Sequence, residues 1–207
     1  MHHDLERRLR EALAAHRLPR VDVDGARPAA VLVPVYPAPE PTLILTVRAD
    51  GLPTHRGQIS FPGGKIDPDD PDTHHAALRE AQEEIGLDPG LVTIVGEFDT
   101  TPTFVSGYVV TPVVGVLGSR PTLRRNPAEV AEILEVPLQD LAEEIRREPG
   151  FEHGGRTYPT EAWVWGDHVI WGVTARLLRV FLEILAEAGL TSRPGATTSW
   201  DFPPPAP

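Results

Sequence analysis

The stretch "FPGGKIDPDDPDTHHAALREAQEEIGL", residues 61 to 87, decides the fold and frames the question of function. A Gly-Gly turn and a loop rich in proline and aspartate come before a segment with helical spacing. Asp72 or Thr73 is suited to cap the start of that helix, and Gly86 is suited to end it. The stretch therefore predicts a glycine turn followed closely by a helix.

Three glutamates of this helix share one face. Each residue of an α-helix advances by about 100°, so Glu84 lies about 40° to one side of Glu80 and Glu83 lies about 60° to the other. Arg79 stands at the i+4 spacing from Glu83 that favours an ion pair. The apolar residues of the segment cluster on a different face, which can be buried.

The clustered glutamates have two interpretations. One is an ordinary solvated acidic face of an amphipathic helix. The other is a site for a hard cation, because like charges on adjacent turns destabilise a helix unless they are compensated. Magnesium and manganese prefer oxygen ligands, and such ions neutralise polyphosphates and lower the pKa of bound water. The glycine turn and acidic loop before the helix favour the second interpretation.

Composition excludes several other classes of function. The chain has 207 residues, a formal net charge of -11 and no cysteine. The length indicates one domain with a sizeable core. The charge disfavours nucleic acid as a partner, and the absence of cysteine excludes disulfides, thiolate nucleophiles and cysteine-based zinc sites. The first 18 residues lack an apolar signal core, and no stretch approaches the roughly 18 apolar residues of a membrane span. We therefore expect a cytoplasmic protein with no membrane partner.

The remaining pattern mixes strands with a few helices, which predicts an α/β or α+β sandwich. Helices are predicted at 4–17, 72–86 and 174–190, strands at 29–36, 42–50, 59–64, 91–101 and 108–118, and a hairpin at 156–173. Residues 127–148 look like a strand or turn flanked by helical pieces.

The sequence "REAQEEIGL", residues 79 to 87, resembles the second half of the Nudix hydrolase signature, with Ala81 in its first aliphatic place. The first half differs. Counting from Gly64, Asp70 stands where the family has glutamate, and eight residues rather than seven separate it from Arg79. A match of this length behind "FPGG" is a strong signal.

A narrower resemblance lies just upstream. The segment "LTVRADGLPTHRGQISFPGG", residues 45 to 64, is similar to the one that precedes the signature in the coenzyme A pyrophosphatase subfamily. Arg48 and Gly57 fit that pattern, whereas Pro53 stands where arginine is usual and Arg56 is nearby. The one-residue-longer signature is also common in this subfamily.

The resemblance implies an α/β/α sandwich around a mixed β-sheet. Together with the helix predicted near the start of the chain and the unpatterned end, it predicts a Nudix domain at 29–190, an N-terminal helix and linker at 1–28 and a flexible C-terminal tail at 191–207. It implies a hydrolase that uses Mg2+ or Mn2+ to cleave coenzyme A into 3',5'-ADP and 4'-phosphopantetheine. Alternatives are a Nudix hydrolase for another nucleotide such as ADP-ribose, a non-catalytic nucleotide sensor and, least favoured by the net charge, an RNA-directed hydrolase.

By the same resemblance, Glu80 and Glu84 ligate the metal. Glu83 is a further ligand or the group that accepts the proton of water, and sequence does not separate these roles. Arg79 either holds a glutamate in place or forms an ordinary surface ion pair. Gly63 and Gly64 shape the turn that lets the loop close on the site.

Other residues have two interpretations each. Arg48 and Arg56 could bind substrate phosphate, because guanidinium matches phosphate oxygens, and Arg48 could equally be a surface arginine at a strand end. Glu129 could join the metal site, although an ordinary carboxylate at a helix start is the more economical interpretation. We do not assign metal binding to the histidines or base stacking to the tryptophans of the hairpin, namely His55, His74, His75, Trp163, Trp165 and Trp171. The oligomeric state, monomer or homodimer, is open.

Overall fold

The computed structural model describes residues 2–16, 23, 25–49, 58–103, 107–143, 145–153 and 156–192. The helices are α1 (His2–Ala15), α2 (Thr73–Ile85), α3 (Leu138–Glu143) and α4 (Gly172–Glu187), with a short 3-10 helix at Pro89–Leu91. The strands are β1 (Arg27–Ala38), β2 (Glu40–Arg48), β3 (Ile59–Ser60), β4 (Gly63–Lys65), β5 (Val92–Glu97), β6 (Thr101–Pro102), β7 (Tyr108–Leu117), β8 (Val130–Pro137), β9 (Ile145–His153), β10 (Arg156–Trp165) and β11 (His168–Trp171).

A mixed sheet forms the centre of the molecule. In the part of the chain that the structure describes, its main order is β3-β2-β1-β7-β5, with β8 on the far edge of β2. β1 and β7 run parallel, from the Arg27–Tyr108 pair to the Val35–Val116 pair. The pairs of β1 with β2, and of β2 with β8, are antiparallel. A smaller sheet has the order β11-β10-β9.

The two central strands separate at one end of the sheet. β1 and β2 pair near their connecting turn, and β2 pairs with β3 further along, at Thr46 and Ser60. β4 then pairs with β1, so that Gly63 lies opposite Val31 and Gly64 opposite Ala30. Gly63 and Gly64 are therefore seated at the opening between β1 and β2. The prediction of a turn at this glycine pair is wrong, because pairing with β1 keeps the backbone in a strand there.

Helices cover both faces of the sheet. Leu32 and Ile44 belong to an apolar cluster with α2, whereas Val33 and Val35 belong to the cluster with α1 and α4. Successive side chains of a strand point to opposite faces, so alternation along β1 supplies both layers. The expected α/β/α sandwich around a mixed sheet is confirmed.

Helix α2 begins and ends where the sequence predicts. The side chain of Asp72 accepts a hydrogen bond from the backbone N–H of His75 at 2.9 Å. Gly86 adopts a left-handed conformation with φ of 65°, which glycine takes without strain. These caps hold the helix that carries Glu80, Glu83 and Glu84 in a defined position over the glycine pair of β4.

The prediction for 127–148 is partly wrong. A turn precedes β8, α3 follows it, and β9 begins at Ile145, so helical pieces do not flank the strand on both sides. Val130, Leu134 and Val136 are buried, and pairing with β2 and burial every second residue outweigh the helix propensity of the alanines and glutamates. Beyond α3 the chain pairs with β10 instead of staying helical.

Two further expectations concern the chain as a whole. Among the described residues, no helix is long and apolar enough to cross a membrane. The division at residues 28 and 190 stays a prediction. Residues 17–22, 24 and 193–207 lie outside the described part. Helix α1 contributes Leu9, which is fully buried, to the core beneath the sheet.

Candidate functional site

The glycine pair of β4 touches two of the three helix glutamates. The backbone N–H of Gly63 donates to Oε2 of Glu84 at 3.2 Å. A Cβ built on Gly64 would lie 2.7 Å from the carboxylate atoms of Glu80, so only a residue without a side chain leaves that carboxylate its place. Strand β4 and helix α2 therefore form one unit at the opening of the sheet.

Arg79 ties the acidic loop to this unit. Its Nε and Nη2 donate to the two carboxylate oxygens of Asp70 at 3.0 and 2.9 Å, and its Nη1 donates to Oε1 of Glu80 at 2.9 Å. Contact with Glu83 is weaker, at 3.4 Å. Hydrogen bonding from Arg79 lowers the pKa of Asp70, whose side chain is only 6% exposed. Arg79 thus holds Glu80 through a bidentate anchor in the loop.

Asp70 is a residue whose part in the site sequence reasoning left unassigned. It differs from the glutamate of the signature in residue type and in spacing. The shorter side chain is compatible with the one-residue-longer connection, because its carboxylate still accepts from both Nε and Nη2 along one edge of the guanidinium. The sequence signal for the part of Asp70 in the site was its place six residues after Gly64, where the signature has an acid.

Burial perturbs the two inner glutamates. Glu84 is 4% exposed, and loss of solvent raises its pKa to about 8. The Gly63 N–H and the charge of Arg48 oppose that rise, whereas Glu80 and Glu129 add to it. The pKa of Glu80 is also raised, first by burial and then by Glu83 and Glu129, against the hydrogen bond from Arg79. Both raised pKa values indicate that the positive charge near these two carboxylates does not offset their burial and their repulsion by neighbouring acids.

The structure brings Glu129 to the site by a turn. The sequence favoured a carboxylate at a helix start, and this interpretation is wrong, since 127–129 form a turn that leads into β8. The carbonyl of Glu129 accepts from the N–H of Ala49, directly after β2. Its negative charge acts on both Glu80 and Glu84. No pattern within 127–130 alone indicates this proximity, because it depends on the pairing of β8 with β2.

Arg48 ends β2 beside the same cluster. Its backbone N–H donates to the carbonyl of Gln58 at 3.0 Å. Its Nε is buried and has no hydrogen-bond partner among the described residues, and its charge stabilises the ionised form of Glu84. A buried donor without a partner is costly, so the position favours an anionic ligand. Arg56 lies within 50–57, outside the described residues.

The donor chemistry of the cluster fits a hard divalent cation. As placed, no group of three or more His, Asp or Glu side chains in the described ranges is arranged to hold a metal ion. The carboxylate of Glu80 is bonded to Arg79 and that of Glu84 to Gly63. Yet burial raises the pKa of both Glu80 and Glu84, and the negative charge of Glu129 adds to each rise. A divalent cation bound by these carboxylate oxygens would supply the positive charge that the region lacks.

The NUDIX domain family model matches residues 26–157, which is more than half of the chain. The chain belongs to the Nudix family. It is 42% identical over 160 residues to the uncharacterized Nudix hydrolase NudL of Yersinia pestis (strain Pestoides F), covering 74% of this chain and 77% of that protein. This chain is therefore a Nudix hydrolase, an enzyme of pyrophosphatase type acting on nucleoside diphosphate derivatives.

Solved Nudix structures also align with it. The Nudix hydrolase RenU from M. smegmatis has a TM-score of 0.47 and 24% identity, covering 56% of this chain and 74% of that one. The binary complex of an Ap4A hydrolase from C. elegans has a TM-score of 0.46 and 23% identity, covering 53% of this chain and 80% of that one.

Within the described part of this Nudix hydrolase, histidines and tryptophans that sequence analysis left out of the site have structural partners. Nε2 of His74 lies 3.0 Å from Oε1 of Glu97, and His75 bonds to Asp72 at the helix cap. Trp163 is buried and donates to the carbonyl of Ala175. Trp165 donates to Asp140, and Trp171 is 38% exposed. His55 lies outside the described part.

Replacing each glycine of β4 by alanine is expected to have a different effect. A Cβ on Gly63 would lie 2.4 Å from the carbonyl oxygen of Ala30, a backbone atom, so Gly63→Ala should destabilise the fold by about 1–3 kcal/mol or more. A Cβ on Gly64 meets the flexible carboxylate end of Glu80, so Gly64→Ala should leave stability within about 1 kcal/mol. It should nevertheless lower hydrolase turnover roughly ten-fold or more, because Glu80 is displaced.

Urea denaturation and steady-state kinetics of both variants measure this contrast. A Gly64→Ala protein with unchanged turnover, or a Gly63→Ala protein as stable as the parent, would contradict the packing described for β4.

Proposed function

We propose that this Nudix hydrolase cleaves the diphosphate bond of coenzyme A, or of a coenzyme A derivative, to 3',5'-ADP and 4'-phosphopantetheine. The observation that carries the proposal is the placement of Arg48 beside Glu84 with a buried donor unsatisfied. A guanidinium next to clustered carboxylates suits a ligand that brings phosphate oxygens to the arginine. Arg48 belongs to the segment 45–64 that resembles the coenzyme A pyrophosphatase subfamily, and this resemblance supports coenzyme A in particular.

Nudix hydrolases generally use Mg2+ or Mn2+. In this chain Glu80 and Glu84 would hold the ion, and Glu129 would add a carboxylate to the site from outside the helix. When bound, the ion supplies Lewis-acid stabilisation of charge on the diphosphate and lowers the pKa of bound water.

The protein's own groups then have distinct tasks. Arg79 keeps the Glu80 carboxylate oriented through its anchor on Asp70. Arg48 binds phosphate oxygens, and Arg56 is a second candidate for that task. Glu83 has a side chain 54% exposed and is held only weakly by Arg79, so it can turn toward water as a further ligand or as the proton acceptor.

The reaction is a hydrolysis and needs no other co-reactant. The oxygen of a water molecule bonds to one phosphorus, and the bond from that phosphorus to the bridging oxygen breaks. The proton lost by water passes to a carboxylate, and the bridging oxygen leaves on the second phosphate. Two phosphate monoesters result, which for coenzyme A are 3',5'-ADP and 4'-phosphopantetheine.

Product chromatography tests the substrate. The purified protein is incubated with coenzyme A, ADP-ribose or diadenosine polyphosphate, each with Mg2+, Mn2+ or chelator. The proposal expects metal-dependent release of 3',5'-ADP from coenzyme A, faster than cleavage of the other two compounds. Faster cleavage of ADP-ribose or of the dinucleotide would replace the coenzyme A assignment with another Nudix substrate. Binding without any cleavage would replace it with the sensor.

A further inference from the structure

The turn that delivers Glu129 is organised by one residue, Asn126. Its backbone N–H donates to the carbonyl of Glu84 at 2.8 Å. Its own carbonyl accepts from the N–H groups of Glu129 and Val130 at 3.1 and 2.8 Å. Its side-chain Oδ1 accepts from the N–H of Ala128 at 3.2 Å, and its Nδ2 donates to Oε1 of Glu129 at 3.1 Å. Both polar groups of its backbone and both of its side chain are therefore engaged.

These bonds have a local physical origin. The last carbonyls of an α-helix have no partner within the helix, and the N–H of Asn126 satisfies that of Glu84. Asparagine followed by proline starts turns readily, because the side chain can accept from the backbone two residues on. The Nδ2 bond to Glu129 is additional to the needs of the turn, since the Oδ1 bond and the two carbonyl bonds already close it.

The additional bond connects two parts of the site. Through its backbone, Asn126 is attached to the residue that carries one inner carboxylate, Glu84. Through its side chain, it orients the carboxylate of Glu129, whose charge acts on Glu80 and Glu84. An amide donor to one oxygen of a carboxylate restricts its rotation without neutralising its charge.

We propose that Asn126 is a positioning residue that holds the Glu129 carboxylate against the Glu80–Glu84 pair and thereby sets the affinity of the site for a divalent cation. This inference rests on the metal-dependent function proposed above. It assigns to Asn126 a role that neither the Nudix signature nor the segment 45–64 contains.

A double-mutant cycle on Mn2+ affinity tests this role without substrate. Asn126→Ser keeps a side-chain oxygen for the turn but cannot donate to Glu129 as the longer amide does, and Glu129→Gln removes the charge that Asn126 positions. We expect Asn126→Ser to weaken Mn2+ binding roughly ten-fold in the parent protein, as for loss of an outer-shell partner. In the Glu129→Gln background the same change should weaken it less than about two-fold, because the two residues act as one unit.

Free Mn2+ in titrations is measured by its electron paramagnetic resonance signal, and thermal melts with chelator confirm folding. An equal loss in both backgrounds, or no loss in the parent, overturns the inference, because a residue that only forms the turn acts independently of Glu129. A parent protein that binds no Mn2+ overturns it as well. Asn126→Thr is measured in parallel, so that the cycle can be completed if the serine variant does not fold. Gln139→Ser, an amide-to-hydroxyl change in α3, is the matched control and should leave affinity unchanged.

The cycle separates this inference from the substrate assignment. Coupling between Asn126 and Glu129 without coenzyme A cleavage would keep the positioning role and reject the substrate. Coenzyme A cleavage without coupling would keep the substrate and reject the role.

Discussion

Replacing Glu80 with glutamine is expected to lower turnover roughly a thousand-fold or more, a barrier increase of about 4 kcal/mol. Glutamine keeps the size of the side chain and an oxygen that can accept from Arg79, so the geometry around Gly64 should persist. It removes the negative charge that a divalent cation needs, and clustered charge on oxygen ligands is the basis of the proposed catalysis. Nucleotide binding through Arg48 should remain.

Steady-state kinetics with coenzyme A and calorimetric titration of the nucleotide measure the two expectations for Glu80→Gln. Glu11→Gln is the matched control, because Glu11 lies on α1 with a side chain 64% exposed and contacts only Arg7 among the contacts described. A Glu80→Gln enzyme as active as the parent would remove Glu80 from the mechanism. Lost turnover with retained binding distinguishes catalysis from a sensor, whose only function is binding.

Replacing Glu84 with glutamine is expected to stabilise the metal-free protein at high pH. Burial raises the pKa of Glu84 from 4.5 to about 8, so the folded state favours the protonated form more than the unfolded state does. For such a group, stability is greatest below pH 4.5 and is lost as the pH rises toward about 8. At 1.36 kcal/mol for each pH unit the loss is at most about 5 kcal/mol. Glutamine does not ionise, so the Glu84→Gln variant does not lose this stability at high pH.

The test of Glu84→Gln is chemical denaturation in chelator at pH 5 and at pH 9. The variant should exceed the parent clearly at pH 9 and by little at pH 5, whereas Glu11→Gln should differ from the parent by a similar amount at both. Addition of Mn2+ should raise the midpoint of the parent and hardly that of Glu84→Gln, since ligands stabilise only the state that binds them. A variant less stable than the parent at pH 9 would contradict the burial penalty assigned to this carboxylate.

Sequence reasoning was most successful where structure depends on near neighbours in the chain. The bounds of α2 follow from Asp72 and Gly86, whose capping preferences act within a few residues. The shared face of Glu80, Glu83 and Glu84 follows from helical geometry alone. The predicted turn at Gly63 and Gly64 was wrong, because their strand β4 forms by pairing with β1, which is distant in the chain.

Sequence reasoning failed where the structure depends on pairing between two segments that are distant in the chain. Residues 127–148 have the composition of helices, yet β8 forms because β2 offers an edge with matching alternation. The position of Glu129 follows from that pairing, and the interpretation of this residue as a helix-start carboxylate failed with it. Arg56 and the rest of 50–57 lie outside the described residues, so their part stays a prediction.

The sequence by itself determined the candidate site residues of this Nudix hydrolase on α2, because the spacing of residues on one helix is a local property. Only the tertiary structure decided what surrounds them: the anchor of Arg79 on Asp70, the burial that raises the pKa of Glu84, and the approach of Arg48 and Glu129. These depend on which strands pair and on what the fold excludes from water. Both are set by contacts between residues far apart in the chain, which local patterns do not encode.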